Sequence, residues 1–330
     1  MVNHAPNHFK IRSEDKYVYC TLFDKNYVVY GVALIKSLLK YNSKIYILCL
    51  DDVTQLIIKK LFNSENIIIL KNIDFSSIIK KYEKNLSYAQ KCWVSQPFLC
   101  QYILDSFKEK SITYIDSDCY FFSDPKTIFK EIGNHSSAAV PHRYYHKAKS
   151  KIKKSGKYCV QFNYIKNNSN GRAVLNYWLE SCLKYNKNAL YSYPGQRDMD
   201  NWEKFNEFKS IENIGVCVAP WNSLNYSIDR RTGSYFVDSE KLISFHFHGL
   251  LNIKNNFYDL GPYHLNKRQV YPLYKDYIIE LKKTENTISI ICDLVVKNRF
   301  LSFKTDNLIK YVGRHIYNLI GNQINIHNFN

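Results

Sequence analysis

Asp116 and Asp118 stand one residue apart and close an apolar run, Ile112-Thr113-Tyr114-Ile115. A hard divalent cation such as Mg²⁺ or Mn²⁺ prefers oxygen ligands and is commonly held by one or two carboxylates together with phosphate. Residues i and i+2 of an extended segment share a face, so both carboxylates can converge on one ion that neutralises a diphosphate as a Lewis acid. Asp-x-Asp is also an ordinary turn sequence. Its context raises this one: a β-run before it, then Tyr120-Phe121-Phe122 and Ser123-Asp124-Pro125 after it. In Phe245-His246-Phe247-His248-Gly249, a strand would set His246 and His248 on one side. There they can ligate a metal or contact phosphate, or serve as two structural hydrogen-bonded histidines. Gly249 lets backbone approach a ligand closely, and Lys254 lies just beyond. Asp24-Lys25-Asn26-Tyr27 offers polar groups for a base or ribose edge and a ring to stack, although Asp-x-Asn is common loop chemistry. Gly195-Gln196-Arg197-Asp198, followed by Asp200-Asn201-Trp202, could bring an amide or a carboxylate to a reacting hydroxyl, although a turn and helix cap is the reading its sequence alone favours.

These groups need a scaffold, and the hydrophobic periodicity supplies one. Tyr17–Leu22 reads as a strand and Tyr27–Tyr41 as a helix, with Val28, Val32, Ile35, Leu38 and Leu39 on one face. Lys44–Leu50 reads as a second strand, Thr54 as the cap of a second helix, and Ile67–Leu70 as a third strand. This β-α-β-α-β order predicts a doubly wound, mainly parallel sheet. Residues 75–110 read as helical, with Pro97 opening an apolar helix. The strand Ile112–Ile115 then runs into Asp116, and ligands of open α/β sheets sit at the carboxyl ends of strands. Later strands are expected at Tyr158–Ile165, within Glu212–Asn225 and at Ile243–Phe247, with a helix over Ala173–Tyr185.

Bulk properties bound the rest. The length of 330 residues allows roughly two domains or one large α/β domain with extensions. The net charge of +17 seeks anions, though abundant Lys, Asn and Ile also fit an AT-rich genome. Nine cysteines without a Cys-x-x-Cys pair argue against a zinc ribbon or redox dithiol and for reduced thiols in a cytosolic protein. No stretch approaches the ~20 apolar residues of a membrane span, and the polar first residues lack a signal core. Pro141–Lys157 carries Arg143, Lys147, Lys149, Lys151, Lys153, Lys154 and Lys157 with no acid, which reads as a mobile basic loop able to close over a ligand or touch an anionic one.

Together these elements resemble the GT-A nucleotide-sugar transferases. The opening YCTLFDKNYVVYGVALIKSL resembles the start of family 8 glycosyltransferases, and ITYIDSDCYFFSDP resembles that group's metal-binding segment. PHRYYH, GKYCVQFNYIKNN, Ala219-Pro220-Trp221-Asn222 and ISFHFHGL resemble a bacterial branch associated with surface polysaccharides. The resemblance covers about Tyr17 to Tyr274 and implies a Rossmann-like α/β fold. It implies a catalytic domain at 17–290, whose 17–118 half binds nucleotide and whose 119–290 half binds acceptor, between an N-terminal extension 1–16 and a basic tail 291–330. It implies that Asp116, Asp118 and His246 hold Mn²⁺ or Mg²⁺. Thr21, Asp24, Asn26, Tyr27, Ser117, His248 and Lys254 would contact the donor. Gln196, Asp198 or Asp200 would face the reacting sugar. The family's phosphate-binding lysine slot is occupied here by Asn252, with Lys254 two residues on, and the acid usual before Gln196 is absent.

The implied activity is metal-dependent transfer of a hexose from a nucleotide sugar, UDP-linked, to a glycan or lipid-linked acceptor in surface polysaccharide synthesis, with retention if it is like family 8; an inverting enzyme would need a carboxylate base near the acceptor, for which Asp198 or Asp200 are the candidates. The expected place is the cytoplasm, with a peripheral contact of the basic tail with anionic membrane and no nucleic-acid partner. The competing expectation is a non-enzymatic protein that grips nucleic acid or anionic lipid through its charge, although no RNA-binding motif supports it.

Overall fold

The computed structural model describes residues 16–71, 88–184, 195–254, 257–295 and 326–329. The first half follows the expected order: β1 (Tyr17–Phe23), α1 (Val28–Leu38), β2 (Ser43–Cys49), α2 (Asp52–Leu61) and β3 (Ile67–Lys71). β1 pairs in parallel with β2, and β2 with β3. The apolar stripe of α1, Val28, Val32, Ile35 and Leu38, is buried as its spacing predicts. The cap of α2 falls earlier than Thr54. The Asp51 carboxylate accepts the Thr54 amide at 2.7 Å, so Asp51 is the N-cap and Thr54 lies inside the first turn.

α3 (Tyr88–Ser106) runs through Pro97 instead of starting there. The ring removes the bond to the carbonyl four residues back. Burial of Val94, Phe98, Leu99, Ile103 and Leu104 against the sheet offsets that loss. β4 (Ser111–Ile115) then pairs in parallel with β1 on the side away from β2. β5 (Cys119–Phe121), α4 (Lys126–Ile132), β6 (Ser137–Pro141), β7 (Tyr158–Lys166), α5 (Ser169–Leu183) and β8 (Phe208–Ser210) follow. α5 starts four residues before the expected Ala173, because the Asn168 side chain caps it by accepting the Gly171 amide at 2.9 Å.

The main sheet has seven strands in the order β3-β2-β1-β4-β7-β6-β8. Its first four strands are parallel; β7 runs antiparallel to β4 and to β6. α1, α2 and α4 pack on one face, and α3 and α5 on the other. The chain is therefore α/β with a mixed, mainly parallel sheet flanked by helices.

The remaining strands form small sheets: β9 (Ile228–Arg231), β10 (Ser234–Val237) and β11 (Glu240–Lys241); β12 (Ser244–His246), antiparallel to β5; and β13 (Leu251–Lys254) with β14 (Phe257–Asp259). α6 (Lys267–Val295) crosses position 290 without a break, and β15 (Ile326–Asn328) returns to pair with β14. Residues 1–15 of the expected extension 1–16, and 296–325 of the expected tail 291–330, lie outside the described residues. No described helix is long and apolar enough to cross a membrane. The eight cysteines described are free thiols.

Candidate functional site

The chain leaves β1 toward β2 on one side, while β4 adds on the other. Loops after such neighbours diverge, and the crevice at their carboxyl ends is the usual ligand site of an open α/β sheet. Here it is a cavity of about 510 Å³. Asp24, Asn26 and Tyr27 reach it from the end of β1, Asp116, Ser117 and Asp118 from the end of β4, and His246 and His248 from β12 and the turn after it. Gln196 lines it too.

Pairing of β12 with β5 sets His246 opposite Cys119, the residue after Asp118. His246 Nε2 lies 2.9 Å from Asp118 Oδ1, and the Phe247 amide donates to the Asp118 carbonyl at 2.9 Å. Burial lowers the His246 pKa, but the Asp118 carboxylate beside it outweighs that and raises it above the ordinary value. Burial pushes Asp118 up, yet His246 holds it well below the carboxylate range. Burial keeps Asp116 above that range against the pull of His246. Asp116 also pairs with the Tyr114 side chain, two residues back on the same face of β4.

These donors fit a hard divalent ion. Two ligand atoms at cis positions of an octahedron with ~2.1 Å bonds stand about 3 Å apart, and the Asp118–His246 separation of 2.9 Å matches. The Cys119 thiol also lies within 4.8 Å of both. It does not line the cavity, belongs to the apolar core, and has its pKa pushed well up by burial. Thiolates suit softer ions, so the pair this geometry brings together for a hard ion is the Asp118 carboxylate and the His246 imidazole, and Asp116 lines the cavity beside them.

At the nucleotide end, Asp24 organises its own loop. Its carboxylate accepts the Asn26 amide and side chain, each at 2.9 Å, and the Tyr88 hydroxyl at 3.0 Å. Tyr27 and Tyr88 stay about half exposed at the rim. Other expected residues stand apart. Thr21 is buried within β1 and does not line the cavity. Asp198 does not line it either, and Asp200 Oδ1 instead accepts the Lys157 amide at 2.6 Å. Lys254 ends β13, and its side chain lies outside the described set.

The basic segment, expected as a loop, is helical over its middle. His146–Lys151 and Ile152–Ser155 form two consecutive helical turns that end at Gly156, φ +82°. Arg143 folds inward onto the carbonyls of Asn213 and Val216, and Lys157 pairs with Glu203. The Lys151 ammonium sits 4.6 Å from the centre of the Tyr263 ring, and Tyr144, Ser155 and Tyr263 line the cavity.

Several lining residues carried no signal of their own: Gln96, Tyr114, His142, Tyr144, Ser155 and Trp221. Trp221 is presented by the Ala219–Asn222 turn, where Asn222 accepts the Ala219 amide at 2.8 Å and donates to the His142 carbonyl at 2.9 Å. The Trp221 ring meets His246 and His248 edge-on, with centroids at 5.2 and 5.6 Å. Only the resemblance drew attention to that turn, since its spacing alone implies no chemistry.

Comparison with known proteins agrees with this geometry. Residues 19–180 match the family described as Glycosyl transferase family 8. The chain is 28% identical over 246 residues to the Uncharacterized protein YfnF of Bacillus subtilis (strain 168), covering 70% of this chain and 80% of that one. It is 22% identical over 276 residues to YfnD of the same strain, covering 80% and 88%. The solved structure of the galactosyltransferase LgtC, in complex with donor and acceptor sugar analogues, superposes with a TM-score of 0.54 at 13% identity, over 81% of this chain and 95% of that one. The bifunctional glycosyltransferase WbbM gives 0.50 at 15% identity, over 83% of this chain and 52% of that one. At such identities the structural likeness speaks for the GT-A fold, and the family match for the transfer chemistry.

Proposed function

From the premise that the chain is a family 8-like glycosyltransferase of the GT-A fold, we propose that it transfers a hexose from a UDP-sugar to a glycan or lipid-linked acceptor, with retained configuration. The observation that carries this reading is the meeting of Asp24, Asp116, Asp118 and His246 in one cavity at the ends of β1, β4 and β12. In this reading Asp24, Asn26 and Tyr27 receive the nucleoside, and Asp116, Asp118 and His246 hold Mn²⁺ or Mg²⁺. A bound divalent ion supplies neutralisation of the departing diphosphate. The acceptor oxygen bonds to the anomeric carbon as the bond from that carbon to the phosphate oxygen breaks. The bonding electrons leave with the diphosphate, and the acceptor hydroxyl gives up its proton.

Retention is supported by the acids at hand. Among the described residues lining the cavity they are Asp24, Asp116 and Asp118, which the reading assigns to nucleotide and metal. Among the described residues no further carboxylate lines it to serve as an inverting base. Gln196 is then the residue that meets the sugar; its amide nitrogen donates to the Ser155 carbonyl at 3.1 Å, which leaves its oxygen for the reaction centre. LgtC, with which the fold is shared, has an active-site mutant in which glutamine becomes glutamate. Lys147, Lys149, Lys151, Lys153 and Lys154 are exposed on the helical turns beside the cavity, which favours a phosphate-bearing or otherwise anionic acceptor. We place the reaction in the cytoplasm, in surface polysaccharide synthesis, with the basic tail against anionic lipid. The competing reading, charge-driven binding without catalysis, is not favoured, because the family match spans both the Asp24 and the Asp116–Asp118 segments.

The test is UDP release from a panel of UDP-sugars with Mn²⁺. Asp118→Ala should abolish it, about 10²-fold or more for loss of a charge-stabilising group. Absence of nucleotide binding by calorimetry with either ion would sink the reading.

A further inference from the structure

One buried side chain touches the site without lining the cavity. Gln161, on β7, is fully buried, and its Oε1 lies 2.6 Å from His246 Nδ1. Its amide nitrogen points at the Cys217 carbonyl, 3.4 Å away. A carbonyl only accepts, so the amide NH₂ must face Cys217 and the Gln161 oxygen must face the imidazole. His246 Nδ1 therefore carries a proton and donates. The Gln161 backbone carbonyl in turn faces the Asp116 amide at 3.5 Å.

We infer that Gln161 is the positioning residue of the metal centre. Its side chain fixes the His246 ring plane, with Nδ1 as the donor, so that Nε2 faces the place a cation would take beside Asp118, while its backbone steadies Asp116. The inference rests on the metal reading proposed above and adds to it a residue outside the liganding set. Three observations carry it. First, Nδ1 has no other hydrogen-bond partner among the described residues. Second, a neutral amide accepts the Nδ1 proton without adding a third negative charge beside Asp116 and Asp118. Third, β7 departs from regular pairing here: its register with β6 jumps between Ala139–Asn163 and Val140–Cys159. Gln161 lies inside that irregularity, which turns its side chain off the ladder and toward β12. A liganding histidine generally needs such a partner on its other nitrogen, and loss of the partner costs about 10–100-fold in metal affinity.

The test uses the full chain with UDP present and Mn²⁺ as the titrant, followed by electron paramagnetic resonance. Gln161→Met keeps the volume and removes the acceptor; it should weaken Mn²⁺ by about 10–100-fold while UDP-independent thermal stability stays measurable. Gln161→Glu keeps an acceptor for Nδ1 and should recover most of that affinity, which a merely structural role would not require. Ring-¹⁵N histidine spectra with Mg²⁺ and UDP supply the second readout. The signal lost in His246→Asn should report a protonated Nδ1 in the wild type and in Gln161→Glu, and a mixed state in Gln161→Met. Wild-type affinity in Gln161→Met, or an unchanged His246 tautomer there, overturns the inference and leaves the metal reading standing. A wild-type protein that binds no Mn²⁺ removes both.

Discussion

At the scale of single residues, the site separates charge by burial. Asp118 and His246 stabilise each other's charged forms, while His142, which lines the same cavity, is held neutral. Burial lowers the His142 pKa to about 3, and its ring stacks on Tyr144 at 4.7 Å. This gives a pH prediction. In the unfolded chain His142 protonates below about 6.5; in the folded chain it stays neutral down to about 3. The unfolded state then binds the extra proton, so stability falls as pH drops through that window. The contribution lost between pH 7.5 and pH 5 is about 2 kcal/mol. Urea denaturation of the wild type against His142→Phe should show the variant with the shallower acid slope over that range. Parallel slopes would refute the assignment. The doublet of aspartates and the pair of histidines were legible as chemistry from residue type and spacing. His142 and Gln161 were not, because a histidine just past the end of β6 or a glutamine inside β7 has no spacing to betray it.

At the scale of elements, the basic segment gave the largest departure from expectation. Seven cations without an acid suggested an unstructured loop, since like charges repel. The turns hold because they dock onto the 3₁₀ helix Arg197–Lys204. Arg197 donates to the Lys153 carbonyl at 2.7 Å, Asp200 accepts the Lys157 amide, and Gln196 donates to the Ser155 carbonyl. Asp200, expected near the reacting sugar, is thus engaged in holding this junction. Gly156 makes the close approach workable. A Cβ there would stand 2.9 Å from Arg197 Cα and from Asp200 Oδ1, at a φ of +82° that favours glycine. Gly156→Ala should destabilise the protein by about 1–3 kcal/mol. It should also open the 146–155 turns to trypsin, visible as faster cleavage after Lys151, Lys153 or Lys154 in limited proteolysis. An unchanged cleavage pattern would mean the turns do not depend on that contact.

At the scale of the whole molecule, the end of the chain returns to the body. β15 pairs with β14, and Phe329 is buried, stacked on Tyr271 at 4.8 Å, with its carbonyl accepting Lys282 at 2.6 Å. A tail read from its charge as a membrane-facing extension therefore contributes a strand and a core side chain near its end. Phe329→Ala should cost about 3 kcal/mol, read as a lowered Tm by calorimetry; a Tm within a degree of wild type would show that the docked end adds nothing. α6 likewise carries no boundary at 290, since its buried Tyr274, Tyr277, Ile278 and Leu281 join the core beneath the small sheets.

Local periodicity was enough for β1 through β3, for α1, and for the strand that delivers Asp116, because each buries its own stripe or run and needs only that pattern to be recognised. The same periodicity, with the Asp-x-Asp and His-x-His spacings, determined the fold class and the kind of chemistry available. Tertiary structure alone decided which polar residues face the cavity. It set Gln196 on the wall and turned Asp198 and Asp200 away, ordered the basic turns, and joined Gln161 to His246 across 85 residues of chain. Those outcomes depend on contacts between segments distant in sequence, where a side chain's role is fixed by its neighbour across the fold and not by the residues beside it.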